Sequence, residues 1–69
     1  MKEIEINTDT IKLDQLLKFA GIAQTGGQGK LIIEEGIVKV NGKTVKKRGK
    51  KIKRGDFIEI KDIDKFIVI

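Results

Sequence analysis

Residues 25–42 read TGGQGKLIIEEGIVKVNG, and the plan of the chain follows from how they divide. Thr25 followed three residues later by Gln28 is a capping box. The Thr25 hydroxyl can accept from the Gln28 amide while the Gln28 side chain reaches back to the Thr25 amide. Such a cap is worth roughly 0.5–2 kcal/mol to the helix it starts. Gly36 is the natural end of that helix, because glycine takes the positive φ of the position after the C-cap without steric cost. Val38 and Val40 then alternate with Lys39 as a strand, and Asn41-Gly42 is a strong two-residue hairpin signal. A short capped helix thus runs directly into a hairpin with no linker. Behind it, residues 43–54 hold eight basic side chains and no acid. Helix start and basic run are expected to form a single surface.

A chain of 69 residues supports a single domain, here 1–69, that buries only about 60% of its unfolded surface. It contains no cysteine, so no disulfide or thiolate metal site is expected to staple it, and no histidine, the commonest general base and metal ligand. No apolar run approaches the ~18 residues of a membrane span, and no signal-peptide pattern stands at the start. A soluble, cytoplasmic domain without metal, cofactor or small-molecule substrate is the expectation. Eight of the fifteen basic residues fall in 43–54, and the other seven are outnumbered by all ten acids. A slightly acidic body carrying one strongly basic strip points to a polyanionic partner more than uniform basicity would. The plainer alternative is a solvated, mobile loop.

Residues 2–7 alternate apolar and charged, with Ile4 and Ile6 on one face, as a half-buried strand does. Thr8, Asp9 and Thr10 carry cap chemistry, and Thr10 reads as the N-cap of the next helix. Leu13, Leu16, Leu17 and Ala20 form its apolar stripe. Gly21 ends it, with Ile22 positioned for the contact that accompanies a glycine cap. The linker to the second helix is short enough to force adjacent packing of the two. Gly29, Ile32 and Ile33 share a face of that second helix. Glycine inside a helix costs up to ~1 kcal/mol against alanine, so three of them suggest a close backbone approach. Gly29 reads as room for the first helix. Gly26 and Gly27 read equally well as packing or as amides bared for a phosphate oxygen at the helix start. A Walker-type loop is excluded by spacing. Past the hairpin, Val45 and Ile52 are inward candidates. Residues 54–56 turn into a strand over 57–61 with Ile58 and Ile60 inward, 62–65 turn again, and 66–69 form a last strand able to pair with the first. The expected architecture is α+β: two short N-terminal helices on one face of a small, mainly antiparallel sheet with N- and C-terminal strands.

The run IKLDQLLKFAGIAQTGGQGKLIIEEGIVKVNGKTV, followed by KRGKKIKRGDFIEI, resembles the RNA-binding domain named for ribosomal small-subunit protein four, the S-four domain. The likeness rests on Leu13-Asp14, the capped start over 25–30, the G-x-V-x-V-N-G hairpin at 36–42 and Gly55-Asp56, and it covers about residues 11–61. TGGQGK and KKRGKK are most similar to stand-alone bacterial proteins of the YaaA-like and YbcJ-like kind. The resemblance implies an αL motif, in which two helices and the hairpin present a basic surface to structured RNA, often ribosomal. By position the contacts would be Lys12 and Gln15 on helix one, and Thr25, Gly26, Gly27, Gln28 and Lys30 on helix two. The basic run would add Lys43, Lys46, Lys47, Arg48, Lys50, Lys51, Lys53 and Arg54. Helix two carries only Lys30 where many members carry several basic residues, which shifts the load to the basic run. Leu31 lies off the buried stripe and is a candidate protein contact.

Binding through such a strip is mostly electrostatic and falls with salt as counterions are released. Lysines act as mobile point charges; Arg48 is the best candidate for a two-pronged phosphate contact. Phe19, Phe57 and Phe66 all read as core, so base stacking is not expected, which favours shape and backbone recognition of a folded RNA over single-strand reading. Asp14, Glu34, Glu35, Asp56 and Glu59 are scattered and read as solvated charge, not as a catalytic pair. The chain is therefore expected to be a non-catalytic, monomeric RNA binder. The rivals are a protein-interaction adaptor of the ribosome or replication machinery and a nonspecific DNA binder.

Overall fold

The computed structural model describes all of residues 1–69, in the order β1 (Glu3–Ile4), β2 (Thr10–Lys12), α1 (Leu13–Phe19), α2 (Gly26–Glu34), β3 (Val38–Val40), β4 (Lys43–Thr44), β5 (Lys51–Lys53), β6 (Phe57–Ile60) and β7 (Asp64–Val68). Five strands form one sheet in the order β1-β7-β6-β3-β4, and β2 pairs with β5 as a separate ribbon. All pairings are antiparallel except β1 with β7, where Glu3 stands opposite Ile67 and Ile4 opposite Val68. Period-two alternation sends Val38, Val40, Ile58, Ile60, Phe66 and Val68 to one sheet face. There they join Leu13, Leu16, Leu17 and Ile33 of the helices in a single buried core. The opposite face is charged or half-exposed: Glu59 lies between Lys39 and Lys65 on its two neighbouring strands.

The second helix follows its sequence signals closely. The Thr25 hydroxyl accepts from the Gln28 amide at 3.1 Å, and Gly36 leaves the helix at φ 79°. The reciprocal arm of the capping box lands one residue earlier than expected, because Gln28 Oε1 accepts from the Gln24 amide. Asn41 and Gly42 both take positive φ, 52° and 85°, as a type I′ hairpin requires. Helix one ends in a Schellman arrangement: the Gly21 amide donates to the Lys18 carbonyl (3.1 Å) and the Ile22 amide to the Leu17 carbonyl (2.9 Å), satisfying carbonyls the helix leaves over.

The start of helix one differs from expectation. Thr10 does not cap it; Thr10 sits in β2 opposite Lys53, and Lys12 precedes the helix with no side-chain cap. The cap comes from across the fold. The Leu13 amide donates to the Lys50 carbonyl at 2.9 Å and the Asp14 amide to the Arg48 carbonyl at 3.1 Å. The orphan donors of a helix start need partners, and here the backbone of the basic run supplies them. That run is consequently no free loop: Ile52 is fully buried opposite Ile11, while Lys51 and Lys53 project from the other face of the ribbon. The last strand also begins earlier than expected, at Asp64, with the turn before it tightened onto Asp62 at φ 62°.

Candidate nucleic-acid interface

The β2–β5 ribbon gathers the basic residues. Lys12 and Lys51 are directly opposed across it, both exposed, and Lys53 lies two residues along the same face. Like charges in that register destabilise a strand pair. Next to this face Lys43, Lys50, Lys51 and Lys53 line a shallow depression whose floor includes Asn41 and Asp56. Sequence neighbours along a strand point to alternate faces, which explains why Lys43 reaches this depression from the edge strand while its neighbour Thr44 does not.

Asp56 is the floor's anchor. Its carboxylate accepts from Asn41 Nδ2 at 3.0 Å and from the Lys53 amide at 2.9 Å, and Asn41 Oδ1 in turn accepts from the Phe57 amide at 2.9 Å. Burial alone would raise the Asp56 pKa; the Lys53 amide, the Asn41 amide group and the charges of Lys53 and Lys50 outweigh it and hold the carboxyl below its ordinary 3.8. The expectation that Asp56 and Asp14 are solvated charges is overturned, since both are buried. A carboxylate leaves water only where partners replace the lost hydration. Asp56 takes one from Lys53, three residues earlier, but Asn41 and the partner of Asp14 come from distant positions that the sequence does not place beside them.

For Asp14 the partner is Arg48. Its Nε lies 3.0 Å from Asp14 Oδ2, with the Asp14 side chain 4% exposed and that of Arg48 53% exposed. The guanidinium edge bearing Nε is thereby occupied, which leaves only its outer end for a phosphate. The first turn of α1 also ties this loop to helix two. A Cβ on Gly29 would come within 3.1 Å of the Asp14 carbonyl oxygen, and a Cβ on Gly26 within 3.4 Å of Gln15 Nε2. Gly29 is thus the room for helix one that its position suggests. Gly26 meets only a flexible side chain, and a Cβ on Gly27 would meet nothing nearer than the Thr25 hydroxyl at 3.9 Å. Packing does not require glycine at 27. Gln28 and Gly29 amides are taken by Thr25, so the amides of Gly26 and Gly27 are the ones the cap leaves over at the helix start.

The remaining basic residues divide. Lys47 and Gly49 are exposed, in a turn closed by the Lys50 amide donating to the Lys47 carbonyl (3.2 Å). Lys46 lies at the other end of helix two, its Cε 3.1 Å from where a Gly36 Cβ would stand, where an ammonium complements the helix dipole. Lys30 is exposed on the helix between the two ends. Arg54 turns away: its Nη2 donates to the Ile6 carbonyl at 3.0 Å and ties the segment after β1 in place. Phe19 departs from the expectation that it is core. It is 56% exposed, whereas Phe66 is fully buried; Leu31, at 62%, is exposed as its position indicates. Phe19 lies off the Leu13-Leu16-Leu17 stripe, on the side of α1 that carries Gln15, so the helix turns it to solvent whatever its length.

Fold and surface together define a class: a small α+β module that carries one basic face on its β2–β5 ribbon. The chain belongs to the S4 domain family, whose profile matches residues 4–69. It is 39% identical over 66 residues to the probable ribosome maturation protein RlbA of Bacillus subtilis (strain 168), covering 96% of this chain and 93% of that protein. Among solved structures it is similar to the 30S ribosomal protein S4e of Thermoplasma acidophilum, with a TM-score of 0.58 and 26% identity over 78% of this chain. That match spans 29% of the archaeal protein. No helix is long and apolar enough to cross a membrane.

Proposed function

We propose that this protein is a non-catalytic RNA-binding protein with a ribosome-related role, acting in the cytoplasm as a monomeric unit over 1–69. It grips a structured RNA by backbone phosphates. Lys12, Lys43, Lys50, Lys51 and Lys53 form the centre of the face, Lys47 and the outer end of Arg48 extend it, and the Gly26 and Gly27 amides close it beside Thr25 and Gln15. The observation that carries this reading is the uncompensated Lys12–Lys51 pair beside the lysine-lined depression. A fold keeps like charges in register where a polyanion relieves them. The names of the relatives, a probable ribosome maturation protein and a small-subunit ribosomal protein, supply the ribosomal direction.

The test is titration of wild type and of Lys50→Ala/Lys51→Ala with a hairpin RNA, a DNA duplex of equal length and heparin, at two salt concentrations. The RNA is expected to bind tightest. The double variant should weaken it and reduce the slope of log affinity against log salt by about 1 for each phosphate no longer neutralised. Equal affinity for all three polyanions would reduce the face to nonspecific charge, the DNA-binding alternative. Unchanged RNA binding by the double variant would move the function to another surface and favour the adaptor reading.

A further inference from the structure

Phe19 has no task in backbone recognition, yet it stands exposed at the edge of the basic face. Ile11, Gln15, Lys18 and Phe19 line one shallow groove. Gln15 and Phe19 are four residues apart and therefore neighbours on one side of α1. The groove adjoins the face through Gln15. Gln15 reaches the start of helix two, where its Nε2 lies 3.4 Å from the position of a Gly26 Cβ. Ile11 forms the groove's inner wall, on the side of the ribbon that faces Ile52.

We infer that Phe19 is a stacking platform for one unpaired base of the bound RNA. In that arrangement the Gln15 amide, both donor and acceptor, addresses the base edge, and Lys18 addresses the attached phosphate. The inference rests on the RNA reading above. A flat apolar ring between an amide and an ammonium fits a nucleotide, whose flat base carries an anionic tail. It fits an apolar protein helix poorly, because the other exposed large apolar residues, Leu31 and Ile63 among them, do not line this groove. One ring accommodates one base, so the platform adds a single unpaired position to an otherwise shape-read RNA.

The chain contains no tryptophan or tyrosine, so Phe19→Trp creates a single fluorescent reporter at the platform. The probes are a blunt hairpin RNA, the same hairpin with a four-adenosine 3′ overhang, and inorganic polyphosphate. The overhang RNA should quench the emission of the Phe19→Trp protein while polyphosphate leaves it unchanged. Phe19→Leu, at an exposed position that tolerates the change, should lose on the order of 10-fold in affinity for the overhang RNA and none for polyphosphate. Wild-type affinity of Phe19→Leu for the overhang RNA overturns the platform. So does equal quenching by polyphosphate, or emission that changes with protein concentration alone, which would make the ring a protein contact. Lys50→Ala/Lys51→Ala separates the two readings. If it weakens all three probes while Phe19→Leu weakens none, only the platform falls; if it weakens none, the basic face falls as well.

Discussion

Two glycines two positions apart in the same helix should respond to alanine in opposite directions. Both substitutions gain helix propensity worth up to about 1 kcal/mol. At Gly27 the new methyl meets open space, with the Thr25 hydroxyl 3.9 Å away, so the gain is kept. At Gly29 it stands 3.1 Å from the Asp14 carbonyl oxygen and 3.5 Å from the Asp14 Cα. The obstacle is backbone, and it cannot swing aside, because α1 is pinned there by the Leu13 and Asp14 amides on the Lys50 and Arg48 carbonyls. Relief needs a shift of a few tenths of an ångström between packed helices, and overpacking of that kind costs about 1–3 kcal/mol. Subtracting the propensity gain leaves Gly29→Ala less stable by about 1 kcal/mol, or about 4–8 °C in a domain of this size. Gly27→Ala should rise by up to a similar amount. Urea and thermal unfolding followed by circular dichroism measure both. The same proteins titrated with hairpin RNA add a second axis: the more stable Gly27→Ala should bind more weakly, its methyl standing where a phosphate approaches the helix start. A Gly29→Ala protein as stable as wild type would refute the tight helix contact. A Gly27→Ala protein that binds RNA unchanged would refute the role given to that amide.

Arg48→Ala leaves the Asp14 carboxylate buried without its cation. Because the arginine is itself half-exposed, the loss of stability should be about 1–2 kcal/mol, below that of a fully buried pair, and Arg48→Lys should restore part of it in the same unfolding assay. Asp56 has a folded pKa below 3.8, so its stabilising contribution is complete above that value and is lost as pH falls through the folded pKa; Asp56→Asn should flatten the acid limb of a stability–pH curve below about 3.8. Arg54→Ala removes the bond to the Ile6 carbonyl and should cost about 1 kcal/mol, visible as faster amide exchange in β1, while the salt slope of RNA binding stays at its wild-type value.

Much of this fold is written locally. The Thr25 cap, the Gly21 and Gly36 stops and the Asn41-Gly42 turn are decided by residues within a few positions of each other, and each stands where the sequence puts it. The start of helix one was not legible. Its cap is the backbone of residues 48–50, and a carbonyl contributed from more than thirty positions away leaves no mark in side-chain pattern. The same distance hid Asp14, which looks like any helix-surface acid until Arg48 is folded over it. For the candidate site, charge density marked the basic run, but strand pairing decided which of its side chains share a side: Lys51 stands opposite Lys12, while Arg54, within the same run, turns to Ile6. Phe19 was legible but misread: it stands off the Leu13-Leu16-Leu17 stripe as Leu31 stands off its own, and its size was weighed above its position on the helix.

The opposed lysines give ionic strength two contrary effects. With the protein alone, dissolved anions screen Lys12 from Lys51 and relax the ribbon, so added salt firms the empty molecule. With a nucleic acid seated on the ribbon, the same ions compete for the lysines and loosen the assembly. A melting curve that climbs with potassium chloride for one sample and drops for the other is the signature of a repulsion stored in the free fold and released on contact.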